Sequence, residues 1–143
     1  DVWYQSVSTH GHWDERSKID TPCRTEQFAN MMRFAHDHRC GDSTASFDDI
    51  RLVIGGDFNL TSECVVLEDI RKSMQFGEGG GVILNHEFHH GPEALVTRTG
   101  WYPPEKEFRE ANFVIVGQNA HVEYFGVDDS APSDHAMLTT ILQ

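Results

Sequence analysis

Lysine and arginine are scarce in this sequence, which has 11 of them against 23 aspartate and glutamate residues and a formal net charge of −12. This balance argues against a protein that binds nucleic acid through a broad basic surface. It leaves phosphate-ester chemistry open, because a bound divalent cation can supply positive charge locally.

Long apolar runs and cysteines are also lacking. The apolar runs are too short for a transmembrane segment or a signal-peptide core. Three cysteines are too few for a disulfide scaffold. The sequence is compatible with one disulfide, for which Cys23 and Cys40 are the first choice. It does not indicate a cellular compartment.

The composition is that of a folded protein. A length of 143 residues suits one domain with its own core, and 38% hydrophobic with 24% charged residues is typical of globular chains. Short apolar segments alternate with two helical patterns, which predicts a mixed α/β (α+β) fold. Strands are predicted over residues 2–9, 52–54, 82–84, 113–116, 121–125 and 136–142.

The central stretch is residues 51–59, RLVIGGDFN. Its apolar residues predict a buried strand, and Gly55 and Gly56 are predicted to end it. Asp57 and Asn59 would then lie at the carboxyl end of the strand, where open α/β sheets hold ligands. A carboxylate beside an amide suits a metal–phosphate site. The alternative is a strand followed by a simple Asx-turn.

Two helices are predicted. Residues 20–22, Asp-Thr-Pro, are a helix start, and this helix continues to about His38. Its buried stripe is predicted to be Phe28, Met31, Met32 and Ala35. The second helix is predicted to begin at residues 60–63 with hydroxyl caps and to continue to about Gln75. Its shared face is predicted to be Val66, Ile70 and Met74.

Histidines cluster in two places. His10 and His12 follow the first strand, and His86, His89 and His90 fall in NHEFHHG. The second cluster lacks the HExxH spacing of zinc proteases. A solvated loop is therefore the preferred interpretation, and a zinc site built from both clusters is the alternative.

Three motifs occur in order at predicted strand ends: STH at residues 8–10, GDFN at 56–59 and SDHAML at 133–138. Together they resemble the endonuclease/exonuclease/phosphatase superfamily, the deoxyribonuclease I-like proteins. Arg24 and Gln27 resemble the R-x-x-Q helix of many members. Thr99 and Trp101, followed by the strand to Val116, resemble the family's threonine–aromatic loop and next strand.

The resemblance implies a four-layer α/β/β/α sandwich, of which residues 1–143 are the C-terminal portion of one domain. The first half of that domain is then absent from this chain. Because each half contributes one sheet, an apolar sheet face is expected to need covering by that missing half or by another chain.

The resemblance also assigns roles. Asp57 orients or deprotonates the attacking water, and Asn59 contacts the phosphate. Asp134 is associated with the metal, His135 faces the scissile phosphate, and His10 is a transition-state donor or general acid. The implied metal ligands are Asp57, Asn59 and Asp134, whose oxygens favour Mg²⁺ or Mn²⁺ over zinc.

Two departures from the family pattern bear on whether the expected activity is present. Asn112 stands where the family has an aspartate that pairs with the histidine now at position 135. The metal-binding glutamate of the family comes from the absent first half. The expected function is a divalent-metal-dependent phosphodiesterase acting on nucleic acid, phospholipid or a small phosphoester. A catalytically inactive relative that serves as a binding or scaffold module is the alternative.

Overall fold

The structure, a computed structural model, describes residues 2–13, 19–40, 50–74, 81–84, 111–128, 130 and 135–143. The described elements confirm the mixed α/β class. In chain order they are β1 Trp3–His10, α1 Pro22–Asp37, β2 Ile50–Asp57, α2 Val65–Ser73, β3 Val82–Ile83, β4 Asn112–Val116, β5 Val122–Asp128 and β6 Met137–Leu142. No helix within the described ranges is long and apolar enough to cross a membrane.

Four strands form one sheet in the order β1-β2-β4-β3, and β5 and β6 form a separate antiparallel pair. β1 is parallel to β2, whereas β4 is antiparallel to both β2 and β3. A parallel pair needs a long crossover connection, and α1 lies in the segment that joins β1 to β2.

The two helices pack on one face of the four-stranded sheet. Phe58 lies at the centre of this core, stacked on Phe28 with ring centroids 5.3 Å apart and edge-on to Phe113 at 5.8 Å. Alternate strand residues point to this face because strand side chains alternate with a period of two. The buried strand residues of this core are Leu52, Ile54, Ile83, Phe113 and Ile115.

The β5–β6 pair packs on the opposite face of the sheet. Phe125 from β5 and Val116 from β4 are buried there, and Val53, Val114 and Leu138 are partly buried against them. The sheet face that the sequence predicted to be bare is thus partly covered by the chain itself. A cavity of about 450 Å³ remains between the two sheets.

Gly55 and Gly56 do not end β2, and that prediction is wrong. β2 continues through both glycines to Asp57, still paired with β1. Gly56 has a φ of +149°, and a Cβ atom there would collide with the carbonyl oxygen of Thr9 on β1. This glycine therefore permits a close approach of two parallel backbones.

α1 confirms its prediction, since Thr21 caps it by accepting a hydrogen bond from the backbone of Arg24. The predicted hydroxyl caps of α2 are wrong. α2 starts later, after Cys64, and its cap comes from a distant part of the chain. The Asp20 carboxylate accepts hydrogen bonds from the backbone nitrogens of Val65 at 2.8 Å and Val66 at 3.0 Å.

The suggested Cys23–Cys40 disulfide is also wrong, because all three cysteines are free thiols. Cys23 lies in the first turn of the 16-residue α1 and Cys40 lies beyond its end. At about 1.5 Å per residue the helix separates them by more than about 20 Å, far beyond the reach of a disulfide.

Candidate functional site

Strand register brings three of the predicted site residues into one row. His10 at the end of β1 is paired with Asp57 at the end of β2, and Asp57 is paired with Asn112 at the start of β4. Residues in one row across a sheet share a face. All three therefore lie on the face that carries β5 and β6.

His135 joins this row from the other sheet, two residues before β6 begins. Its Nδ1 lies 2.9 Å from the Asn112 Oδ1. An amide oxygen only accepts, so the imidazole Nδ1–H is the donor. The His135 Nε2 then lies 3.7 Å from the Asp57 Oδ2, and the His135 side chain is 25% exposed.

The Asp57 carboxylate is the centre of the site. Its Oδ2 lies 3.8 Å from the His10 Nε2 and 3.7 Å from the His135 Nε2. Its Oδ1 accepts a hydrogen bond of 2.8 Å from the Asn59 backbone nitrogen. Distances of 3.7–3.8 Å exceed those of hydrogen bonds, so the imidazoles interact with this carboxylate as ion pairs when protonated.

Asn59 fastens the loop after β1 to the end of β2. It is 1% exposed, has a φ of +53°, and donates a hydrogen bond of 2.9 Å from Nδ2 to the Gly11 carbonyl. The Gly11 nitrogen donates in turn to the Asp57 carbonyl at 2.7 Å. The role of Asn59 as a phosphate or metal contact stays a prediction.

Two α1 side chains hold the same loop, those of the R-x-x-Q pattern, Arg24 and Gln27. Arg24 is completely buried and donates from Nε to the His12 carbonyl at 2.9 Å and from Nη1 to the Ile19 carbonyl. Gln27 contacts the backbone of both His10 and His12. Arg24 and Gln27 are three positions apart, which places both on one face of the helix. This spacing is the sequence pattern that indicates that they share a contact surface.

Other predicted site residues lie outside the described residues: Asp134, His86, His89 and His90. Within the described ranges, no group of three or more histidine, cysteine, aspartate or glutamate side chains forms a metal-binding cluster. Among the described residues, Asp57 is the carboxylate that would hold Mg²⁺, an ion that proteins usually bind with one or two carboxylates while water and substrate oxygens complete its octahedral shell.

The cavity opens beside this site. Asp57 and Asn112 form part of its wall, and Ser6, Ser8 and Thr140 add hydroxyl groups to it. The Thr140 Oγ1 is buried, with no hydrogen-bond partner among the described residues. A volume of about 450 Å³ is within the range of small-ligand sites.

No family model matches the chain, and no curated protein or solved structure matches it either.

Proposed function

We propose that this chain is part of a divalent-metal-dependent phosphodiesterase of the endonuclease/exonuclease/phosphatase superfamily, which hydrolyses its substrate by direct attack of water. The observation that carries the proposal is the convergence of His10 and His135 on one oxygen of Asp57. These residues belong to three motifs that lie far apart along the chain. Their convergence supports a common site.

Each side chain has a role that its contacts suit. The Asp57 Oδ1 is engaged by the Asn59 N–H, which fixes the carboxylate and directs Oδ2 towards the imidazoles. Oδ2 aligns or deprotonates the attacking water. His135, oriented by Asn112, faces the phosphate. His10, whose side chain is 75% exposed, donates to a phosphate or leaving-group oxygen.

Mg²⁺ or Mn²⁺ is the proposed metal, and it would stabilise the negative charge on the phosphate oxygens. Asp57 is its proposed ligand within the described residues, and Asp134 is proposed as the second. The substrate class is the phosphodiester that nucleic acids, phospholipids and small phosphoesters share. The net charge of −12 disfavours a long nucleic acid duplex as the substrate.

The proposed fold is part of a four-layer α/β/β/α sandwich. α1 and α2 with the four-stranded sheet would be two layers, and β5–β6 would belong to the second sheet. Tyr124, Met137 and Ile141 on this pair are 51%, 53% and 47% exposed. The proposed partner, the first half of the domain or another chain, would cover such apolar side chains.

The test is hydrolysis of bis(p-nitrophenyl) phosphate by the complete protein, with Mg²⁺ or Mn²⁺ and with a chelator. We expect metal-dependent activity that falls at least about 100-fold in Asp57→Asn and in His135→Gln. Asn30→Ala, an exposed change on α1, is the control and should retain activity. Equal rates in the parent and both site variants would contradict the proposal.

The second candidate is a catalytically inactive module that binds phosphodiesters. The amide of Asn112 favours it, because an amide orients His135 but does not stabilise the charged imidazolium. The complete protein would then show no hydrolysis with any divalent cation. Calorimetry would still detect binding of a phosphodiester, and Asp57→Asn would change that binding.

A further inference from the structure

His10 is the most exposed of the site's side chains. Its side chain is 75% exposed, against 25% for His135 and 19% for Asp57. His135 is held by the Asn112 amide, whereas the His10 ring has no hydrogen-bond partner among the described residues. Packing and side-chain bonds therefore do little to orient this imidazole, and its position depends on its backbone.

The backbone on either side of His10 is held by one side chain of α1. The Gln27 Nε2 donates to the His10 carbonyl at 2.8 Å. The Gln27 Oε1 accepts from the His12 backbone nitrogen, also at 2.8 Å. One amide group thus spans residues 10–12 and uses both its donor and its acceptor on them.

The other side of the same three residues is attached to the end of β2. Gly11 donates to the Asp57 carbonyl and accepts from the Asn59 Nδ2. A Cβ atom at Gly11 would collide with the Phe58 carbonyl oxygen. The loop is thus held between β2, which carries Asp57, and α1, which carries Gln27.

We propose that Gln27 is a positioning residue for His10: it holds the exposed imidazole within reach of the Asp57 Oδ2. The catalytic part of this inference rests on the proposed function, since the Gln27 amide binds the backbone of residues 10 and 12 and would affect catalysis through His10. Losing both hydrogen bonds frees the His10 and His12 backbone groups to turn to water. The imidazole then samples positions further from Asp57.

Two variants test the two hydrogen bonds that the Gln27 amide makes. Gln27→Met keeps the length of the side chain and removes both hydrogen bonds. Gln27→Glu keeps an acceptor for the His12 N–H but places a negative oxygen against the His10 carbonyl. It also provides a second test if the methionine variant folds poorly. Asn30→Ala, exposed one turn further along α1, is the matched control.

The first readout needs no activity. Long-range ¹H–¹⁵N spectra of the histidine rings report the surroundings of each imidazole, with His10→Gln used to assign the His10 signals. We expect the His10 signals to shift in Gln27→Met and Gln27→Glu, while those of His135 stay in place. Asn30→Ala should move neither. Unchanged His10 signals in both folded Gln27 variants would overturn the proposal.

The second readout is the split between kcat and KM. A small misplacement of a reacting group lowers kcat by about 10- to 100-fold, so we expect that loss in Gln27→Met with KM changed less than about twofold. Adding Gln27→Met to His10→Gln should cause no further loss. Losses that multiply in the double variant would show that Gln27 acts independently of His10. Absence of activity in the complete protein would refute the proposed function, while the ring signals would still decide the positioning role.

Discussion

Asn112 accepts a hydrogen bond from the His135 ring, with 2.9 Å between Oδ1 and Nδ1. Because the amide oxygen only accepts, this contact keeps a proton on Nδ1 and directs Nε2 towards Asp57. The amide thus fixes the ring and its tautomer without adding negative charge.

Introducing a carboxylate at position 112 should raise the proposed phosphodiesterase activity. In Asn112→Asp the new charge stabilises a protonated His135, and we expect kcat to rise about tenfold, a fraction of the effect known for an aspartate–histidine pair. Asn112→Ala, which leaves the ring without its acceptor, should lower kcat instead. Steady-state hydrolysis of bis(p-nitrophenyl) phosphate measures both. A lower kcat in Asn112→Asp than in the parent would contradict this role.

The two glycines of β2 should differ sharply in their tolerance of alanine. Gly56→Ala would put a Cβ atom into the Thr9 carbonyl at a φ of +149°, and we expect a loss of about 2–4 kcal/mol in the free energy of unfolding. Urea denaturation measures it. Gly55→Ala is the control: its Cβ would lie 3.8 Å from the Val114 Cγ2, an ordinary contact. Equal losses at both positions would show that the close strand approach is not the cause.

Removing the cap that Asp20 provides should destabilise α2. The carboxylate accepts from two backbone N–H groups at the start of that helix, so Asp20→Ala should reduce the free energy of unfolding by about 1–2 kcal/mol. Thermal or urea unfolding measures the change. Glu63→Gln, an exposed change near the same helix end, should have little effect. A variant as stable as the parent would argue that water replaces the cap at no cost.

Glu68 should make a small, pH-dependent contribution to stability. Hydrogen bonds from Arg71, at 2.6 and 2.7 Å, lower the pKa of this carboxyl from 4.5 to about 2. A lowered pKa stabilises the fold at pH above the unfolded value of 4.5. The contribution is lost as the pH falls from 4.5 towards about 2.

The variant that tests this is Glu68→Gln. Because the side chain is 41% exposed, solvent screening limits the loss at neutral pH to about 0.5–1 kcal/mol. The difference between variant and parent, measured by urea unfolding across pH, should shrink as the carboxyl of the parent becomes protonated. High salt should shrink it too. A difference that does not change between pH 7 and pH 2 would show that charge is not its origin.

Local patterns predicted most of the elements. The apolar run of β2, the capped start of α1 and the stripe of Phe28, Met32 and Ala35 all depend on neighbours in sequence, and the structure confirms them. The failures share a cause. The cap of α2 comes from Asp20, and the need for glycine at position 56 comes from β1. Both contacts join segments far apart in sequence.

The sequence by itself determined which chemical groups are present and that Asp57, His10 and His135 stand at or near strand ends, because local periodicity and turn residues decide where strands begin and end. Only the tertiary structure decided that these groups meet. Their row depends on the parallel register of β1 with β2, the antiparallel register of β2 with β4, and the packing of β6 on the sheet face. A register shift of one residue would turn each side chain to the opposite face, and no local pattern fixes that choice.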